Sequence, residues 1–380
     1  MEFKGYIKYP RLLFLLMFFL FLLGGLLSYG EILGSFFISD DFSQIYYAVT
    51  HGLFGAFFKK VTTFYRPIVT LSLFIDYKMW GLNPIGYHAV NIILHSLNSF
   101  LTFLICLSLL DGFIERKNSR FLIALFSGIL FLVIPSHAEA VTWISGRGDV
   151  LATFFALSSI SIYLYYRPYS NPTYFFISLF FYACALFTKE STVALPLIIL
   201  LYEVCRNYIQ PNKIHEFFGR LPKVLSYFLL VVLYFLARYL VRSELIGGYG
   251  NRVHLNFNPS LIAKNLLVYP ARVFLPHIHN IELIFTIIVA CTIVMILVVR
   301  FIMKKRLPPV IYFLTLAFYI SLLPVINLNI NYSDTQGERF IYFPSAFFII
   351  CLAILLYYFI GYHKVSIAVF LTIILFYRFS

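Results

Sequence analysis

Asp40 and Asp41 stand side by side in Ser39-Asp40-Asp41-Phe42-Ser43-Gln44, about ten residues past an apolar run at 12–29. Adjacent carboxylates in that position can serve as a general base, as metal ligands or as a cation site. They can also be the solvated end of a helix. Further groups able to do chemistry recur along the chain: Tyr65-Arg66-Pro67, Pro135-Ser136-His137-Ala138-Glu139, Trp143, Arg147, Asp149, Lys189-Glu190, His277, His279 and Glu338-Arg339. Arginine and lysine beside lipid suit a phosphate or pyrophosphate head group, with Arg supplying bidentate geometry. A carboxylate suits the removal of a proton from an incoming hydroxyl. Together they describe transfer of a group from a phosphate-activated lipid carrier to an acceptor hydroxyl, the cations stabilising the leaving phosphate.

The elements that must position these groups are read from composition. The 380 residues are 61% hydrophobic and only 12% charged, against about 25% charge in a soluble domain. The apolar runs are continuous rather than alternating, which excludes a spanning barrel and leaves an all-α polytopic membrane bundle. The 44 Phe and 29 Tyr suit interfacial belts and lipid-facing packing. A net charge of +13 would point a soluble protein to nucleic acid. In a polytopic protein it reads as basic cytoplasmic loops, with attraction to anionic lipid or a phosphate-bearing substrate as a second cause and no nucleic-acid partner. The five cysteines are scattered through apolar runs without metal spacing and say nothing of redox compartment.

Eleven spans are expected, near 12–29, 87–110, 121–135, 149–166, 173–187, 191–204, 224–241, 282–299, 309–326, 341–360 and 365–377. The first, preceded by Lys4, Lys8 and Arg11, reads as an uncleaved span rather than a signal peptide. With the N-terminus inside, every inner loop is basic: Arg116/Lys117/Arg120, Arg167, Arg206/Lys213/Arg220/Lys223, Arg300/Lys304/Lys305/Arg306 and Lys364. The run 261–275 would reverse that pattern as a span, so it is expected to lie on the outer surface or re-enter. The expectation is one domain over 1–380, with a long first outer loop at about 30–86 and a second large outer segment at about 242–281. The first loop should carry interfacial helices near 43–58 and 67–80. All the groups named above then fall on the outer face of a plasma or inner membrane, where ionisable residues at membrane depth usually serve function.

In the second span His88, Asn91, His95 and Asn98 are spaced +3, +4, +3 and share one helical stripe. Hydrogen bonds between helices account best for His95 and Asn98, whereas His88, at the outer end, can face the cavity. Nothing has the tight His/Cys spacing of a zinc site.

The ordered set Asp40-Asp41, Tyr65-Arg66-Pro67, Trp80-Gly81-Leu82-Asn83-Pro84-Ile85-Gly86-Tyr87-His88-Ala89-Val90-Asn91, Leu94-His95, Pro135 to Val141, Ser145-Gly146-Arg147-Gly148-Asp149, Lys189-Glu190 and Glu338 to Ser345 resembles the GT-C glycosyltransferases. Within that class it is most similar to the TMTC O-mannosyltransferases and their prokaryotic relatives. The resemblance implies a polyprenyl- or dolichyl-phosphate-linked monosaccharide donor, an outward-facing site and inverting transfer of mannose or another hexose. It gives the base role to Asp40 or Asp41, Asp40 being favoured by its position in the pair. Arg339 and Arg147 are the implied donor-phosphate ligands, with Lys189 and Arg66 in support. His137, Glu139, Trp143, Asp149, Glu190, His88 and Glu338 are the implied sugar or acceptor side. The acidic pair leaves open whether a divalent cation (Mg or Mn) takes part. No tetratricopeptide repeats follow the membrane part, which leaves the acceptor open between a protein and a glycolipid. The competing expectation, a transporter or flippase of a lipid-linked or anionic solute, predicts paired halves and mid-span charges. The charges here cluster at span ends instead. A non-catalytic scaffold leaves that clustering unexplained.

Overall fold

The computed structural model describes residues 10–59, 64–111, 113–170, 172–209, 214–245, 258–273, 308–326 and 337–360. Among them the helices are α1 (Arg11–Tyr29), α2 (Asp40–Phe58), α3 (Pro67–Trp80), α4 (Pro84–Leu110), α5 (Lys117–Val133), α6 (Ala138–Thr142), α7 (Arg147–Ser170), α8 (Pro172–Thr188), α9 (Leu195–Ile209), α10 (Ile214–Arg242), α11 (Pro259–Arg272), α12 (Pro309–Leu322) and α13 (Tyr342–Ile360). Short 3-10 turns join several of them, and no strand occurs among the described residues.

The expected runs at 282–299 and 365–377 lie outside the described residues. The other nine fall on α1, α4, α5, α7, α8, α9, α10, α12 and α13. Not all of these are span-length. Among the described residues five segments are long and apolar enough to cross a bilayer, or six if a bent pair counts as one. The reason is length: α8, α9 and α12 have 17, 15 and 14 residues, short of the roughly 20 that a crossing needs. The interfacial stretches expected near 43–58 and 67–80 are the helices α2 and α3. The doubtful run at 261–275 falls on α11, whose 14 residues are likewise too few to cross.

Proline sets several boundaries, because its ring fixes φ and it has no N–H to give. Pro67, Pro84 and Pro309 open α3, α4 and α12, and Asn83 caps α4 by accepting from the Ile85 N–H at 3.1 Å. Pro135 forces Ile134 out of the helical region, to φ −68° and ψ 134°. The chain bends there by 54°, so residues 135–142 cross the end of the bundle instead of prolonging α5.

Packing centres on α4, α7 and α13, while α1 and α10 hold the periphery with few of their side chains buried. Such exposure in a chain this apolar marks lipid-facing surface. Helix α4 packs on α1, α5 and α7; α7 packs on α8; α13 packs on α12 and α5. Gly25 lets α1 approach α4, since a Cβ there would collide with Ser96 Oγ. The polar stripe of α4 is buried between these helices. His95 Nε2 donates to the Leu132 carbonyl at 3.0 Å, which leaves Nδ1 to accept from the Tyr342 hydroxyl at 2.6 Å. Asn98 donates to the Val150 carbonyl at 2.9 Å and to the Tyr342 oxygen at 3.1 Å. These bonds tie α4 to α5, α7 and α13, the interhelical role expected of both residues.

Candidate functional site

The sharply bent segment after Pro135 returns into α7 through Trp143-Ile144-Ser145-Gly146-Arg147-Gly148-Asp149. The turn passes so close to α6 that a Cβ on Gly146 would lie 2.5 Å from the Ala140 carbonyl oxygen. Four residues at alternate positions of this stretch each engage a different part of the bundle end. Trp143 packs against Arg339, Ser145 binds Asp41, Arg147 binds Asp76, and Asp149 binds Lys189. This one stretch therefore gathers residues from α2 and α3, Lys189 just past α8, and Arg339 in the turn before α13.

The first group is closed. Arg147 is fully buried, and each of its three nitrogens donates to a protein acceptor: Nε to Asn91 Oδ1 at 2.9 Å, Nη1 to Asp76, and Nη2 to the Tyr87 carbonyl at 2.8 Å. Asn91 in turn donates to the carbonyls of Val141 and Trp143, at 3.3 and 3.1 Å. Asp41 is buried as well. Its Oδ1 accepts from the Ser145 N–H at 2.8 Å and the Ser145 hydroxyl at 2.5 Å, and its Oδ2 accepts from the Ile38 N–H at 3.0 Å. The Asp41 N–H closes the same turn onto the Ile38 carbonyl at 3.0 Å. Between them Ser39 is held at φ 48° and ψ −118°, a region that costs a non-glycine residue on the order of 1–3 kcal/mol and persists only where the surroundings enforce it. Asp40, next in the chain, is exposed at the head of α2. The acidic pair is thus divided: Asp41 is an anchor and Asp40 faces outward.

The second group is more open. Arg66 Nε donates to Glu190 Oε2 at 3.0 Å and Nη2 to Oε1 at 2.5 Å, a bidentate pair about one-fifth exposed on each side. Lys189 Nζ donates to both oxygens of Asp149, at 2.5 and 2.6 Å. Glu139 accepts from the backbone N–H groups of Gly337 and Arg339, at 3.0 and 2.9 Å, and so caps the 3-10 turn Glu338–Ile341. The Arg339 guanidinium lies 3.7 Å from Glu139, 4.8 Å from the Trp143 ring and 5.5 Å from the Phe340 ring. The Phe340 ring in turn is 5.1 Å from Lys189.

Each cation here sits beside a carboxylate, and the pairs perturb one another. Burial brings the Lys189 ammonium down to about 8; Asp149 opposes this, while Arg66 and Arg339 add to it. Burial alone would raise the Glu190 carboxyl, but Arg66 and Lys189 outweigh it and hold the group at about 2. Trp143 Nε1, Arg339 Nε and Glu338 Oε1 are buried and have no hydrogen-bond partner among the described residues. Buried polar atoms are normally satisfied, so two donors and an acceptor left over around one side chain call for an explanation.

The structure therefore brings together Arg66, Glu190, Lys189, Asp149, Glu139, Arg339, Trp143 and Glu338. Five expected site residues are not in that group: Asp40 is exposed at the head of α2, and Asp41, Arg147, His137 and His88 are buried. Arg147 is spent inside the protein on Asp76, Asn91 and Tyr87, which removes it from the donor-phosphate set. His137 is buried, with Nδ1 donating to the Phe131 carbonyl at 2.9 Å and Nε2 lying 2.8 Å from Ser345 Oγ; it braces the bend instead of lining a cavity. His88 is also buried, within electrostatic reach of Asp41 and Arg147. His277 and His279 lie outside the described residues. Asp76 and Ser145 carry contacts that the motif reading did not assign. Asp76 had a signal: it follows the buried Val69 and Leu73 at +7 and +3, on the inner stripe of α3. No group of three His, Cys, Asp or Glu residues able to hold a metal occurs among the described residues.

Comparison with known proteins agrees with the motifs. The chain is 31% identical over 150 residues to protein O-mannosyl-transferase TMTC1 of Mus musculus, a match covering 37% of this chain and 15% of that protein. It is 32% identical over 199 residues to protein O-mannosyl-transferase tmtc2 of Xenopus laevis, covering 47% and 23%. Human TMTC2 is 34% identical over 146 residues, covering 37% and 16%. By sequence the chain is similar to TMTC proteins, and its matches span less than a quarter of the length of these relatives. No family model matches the chain, and no solved structure does.

Proposed function

We propose that this chain is a membrane glycosyltransferase that moves a monosaccharide, mannose or another hexose, from a polyprenyl- or dolichyl-phosphate carrier to an acceptor hydroxyl. The observation that carries the proposal is the convergence of Arg66, Lys189 and Arg339, where Trp143 Nε1, Arg339 Nε and Glu338 Oε1 are buried without a hydrogen-bond partner among the described residues. The similarity to proteins named protein O-mannosyl-transferases supports the reaction class and brings a protein hydroxyl forward as one acceptor, beside a glycolipid.

In this reading Arg339, Lys189 and Arg66 hold the donor phosphate and take up the charge that develops on it as it leaves. Trp143, Glu139, Glu338, Asp149 and Glu190 shape the sugar side, directly or by fixing those cations. Asp40 is the base: its carboxylate is exposed, whereas Asp41 is buried and its oxygens already accept from three donors. The acceptor oxygen attacks the anomeric carbon, its proton passes to Asp40, and the bond to the phosphate breaks on the opposite face, inverting the centre. The site faces outward from the membrane in this reading, which the positive-inside distribution of basic loops supports.

The test is incubation of the full chain with a panel of polyprenyl-phosphate sugars. Release of polyprenyl phosphate with transfer of one sugar is expected. No release with any sugar, together with movement of the intact carrier between leaflets, would replace the enzyme by a flippase.

A further inference from the structure

We infer that Asp76, acting with Ser145, is a positioning residue that fixes Asp40 at the head of α2. The inference rests on the transferase reading for its kinetic consequence but not for its geometry. Asp76 lies on α3, is 4% exposed, and its carboxylate is paired with Arg147. Arg147 is the first residue of α7 and is also tied to Asn91, which holds the carbonyls of Val141 and Trp143. These bonds set the path of the chain from 141 to 147. Ser145 sits within that path and gives Asp41 both its N–H and its hydroxyl. Asp41 closes the Ile38–Asp41 turn from both its backbone and its side chain, and the turn holds Ser39 at positive φ.

The route therefore runs by contact from Asp76 to Arg147 and Asn91, along the backbone that Asn91 and Arg147 fix on either side of Ser145, and by contact again from Ser145 to Asp41, whose turn holds Ser39, the residue before Asp40. A strained residue stays strained only while its neighbours over-determine it. Loosening the far end should let Ser39 relax toward an ordinary conformation, swinging Asp40 away from its place. Misplacement of a reacting group by about 1 Å costs on the order of a hundredfold in rate.

Two variants test this in the full chain in detergent or lipid. Ser145→Ala removes one side-chain bond to Asp41 from a half-buried position. Asp76→Asn removes the charge but keeps an oxygen for Arg147. Each is combined with a spin label on Ser43→Cys, an exposed position on the first turn of α2, and compared with the labelled parent. The expected result is a more mobile label in both variants, with turnover lowered by about tenfold to a hundredfold and the donor KM unchanged. An unchanged label overturns the inference whether or not the protein transfers sugar. A fall in turnover matched by a rise in donor KM and a lower melting temperature also overturns it, because that is general loosening. A parent chain that turns over no donor would defeat the transferase reading, and the label alone would then decide the coupling.

Discussion

The two charged clusters at the Asp40 end of the bundle share a seven-residue stretch but differ in what they leave over. In the closed cluster Arg147 and Asp76 are almost wholly buried, and each arginine nitrogen has an acceptor. In the open cluster Arg66, Glu190, Arg339 and Glu139 keep between 15 and 24% of their side chains exposed, and Arg339 Nε and Trp143 Nε1 have no partner among the described residues. Saturated charge fixes the backbone, and unsaturated charge can take a ligand. Arginines of the two clusters look alike as letters in a sequence, and only their partners separate them.

The comparison can be broken at either cluster. The largest effect is expected at the group that the closed cluster presents. Asp40→Asn should reduce transfer by about 10²–10⁴-fold, the range for loss of a general base. Because Asp40 is exposed, melting in detergent should not change; retained transfer would move the base elsewhere. Next is Arg147→Ala, which leaves Asp76 buried and unpaired and should cost about 3–5 kcal/mol of stability. Thermal unfolding checks this, and an unchanged melting temperature would mean that the cluster is not closed. Arg339→Ala should do the reverse, weakening donor use by about 1.5–3 kcal/mol while stability holds. Equal losses in both assays would erase the distinction.

A smaller effect comes from pH. Lys189 must be charged to hold a phosphate, so donor affinity should fall as pH rises through about 8. Its contribution to stability runs the other way. The folded-state value is lowered from 10.5, so the unfolded chain binds more protons between about 8 and 10.5, and this group's contribution rises with pH there. Donor titrations and melting curves across that window should therefore diverge. The smallest change is expected from Tyr342→Phe, which leaves His95 Nδ1 without its donor. It should lower stability by about 1–3 kcal/mol with little change in turnover.

The sequence makes the membrane class legible because apolar runs near 20 residues have few other uses, and Pro67, Pro84 and Pro309 mark helix starts for steric reasons. The polar stripe of α4 is equally readable, since a 3.6-residue period fixes which side chains share a face. What the pattern does not carry is the partner of each charge. Arg147 and Arg339 both sit in motif-like surroundings, and only the bend after Pro135 turns one inward and leaves the other half-exposed. The division of the acidic pair depends on the Ile38–Asp41 turn, which no spacing encodes. The short helices α8, α9 and α12 were read as full spans because hydropathy reports apolar length without showing where the helix ends.

The central claim is that the open cluster binds a lipid-linked phosphate and the closed one does not. The most direct measurement is the rise in melting temperature on adding polyprenyl phosphate to the parent chain, to Arg339→Ala and to Ser145→Ala. The account predicts a rise in the parent and in Ser145→Ala, and none in Arg339→Ala. An equal rise in all three, or a loss confined to Ser145→Ala, would contradict it.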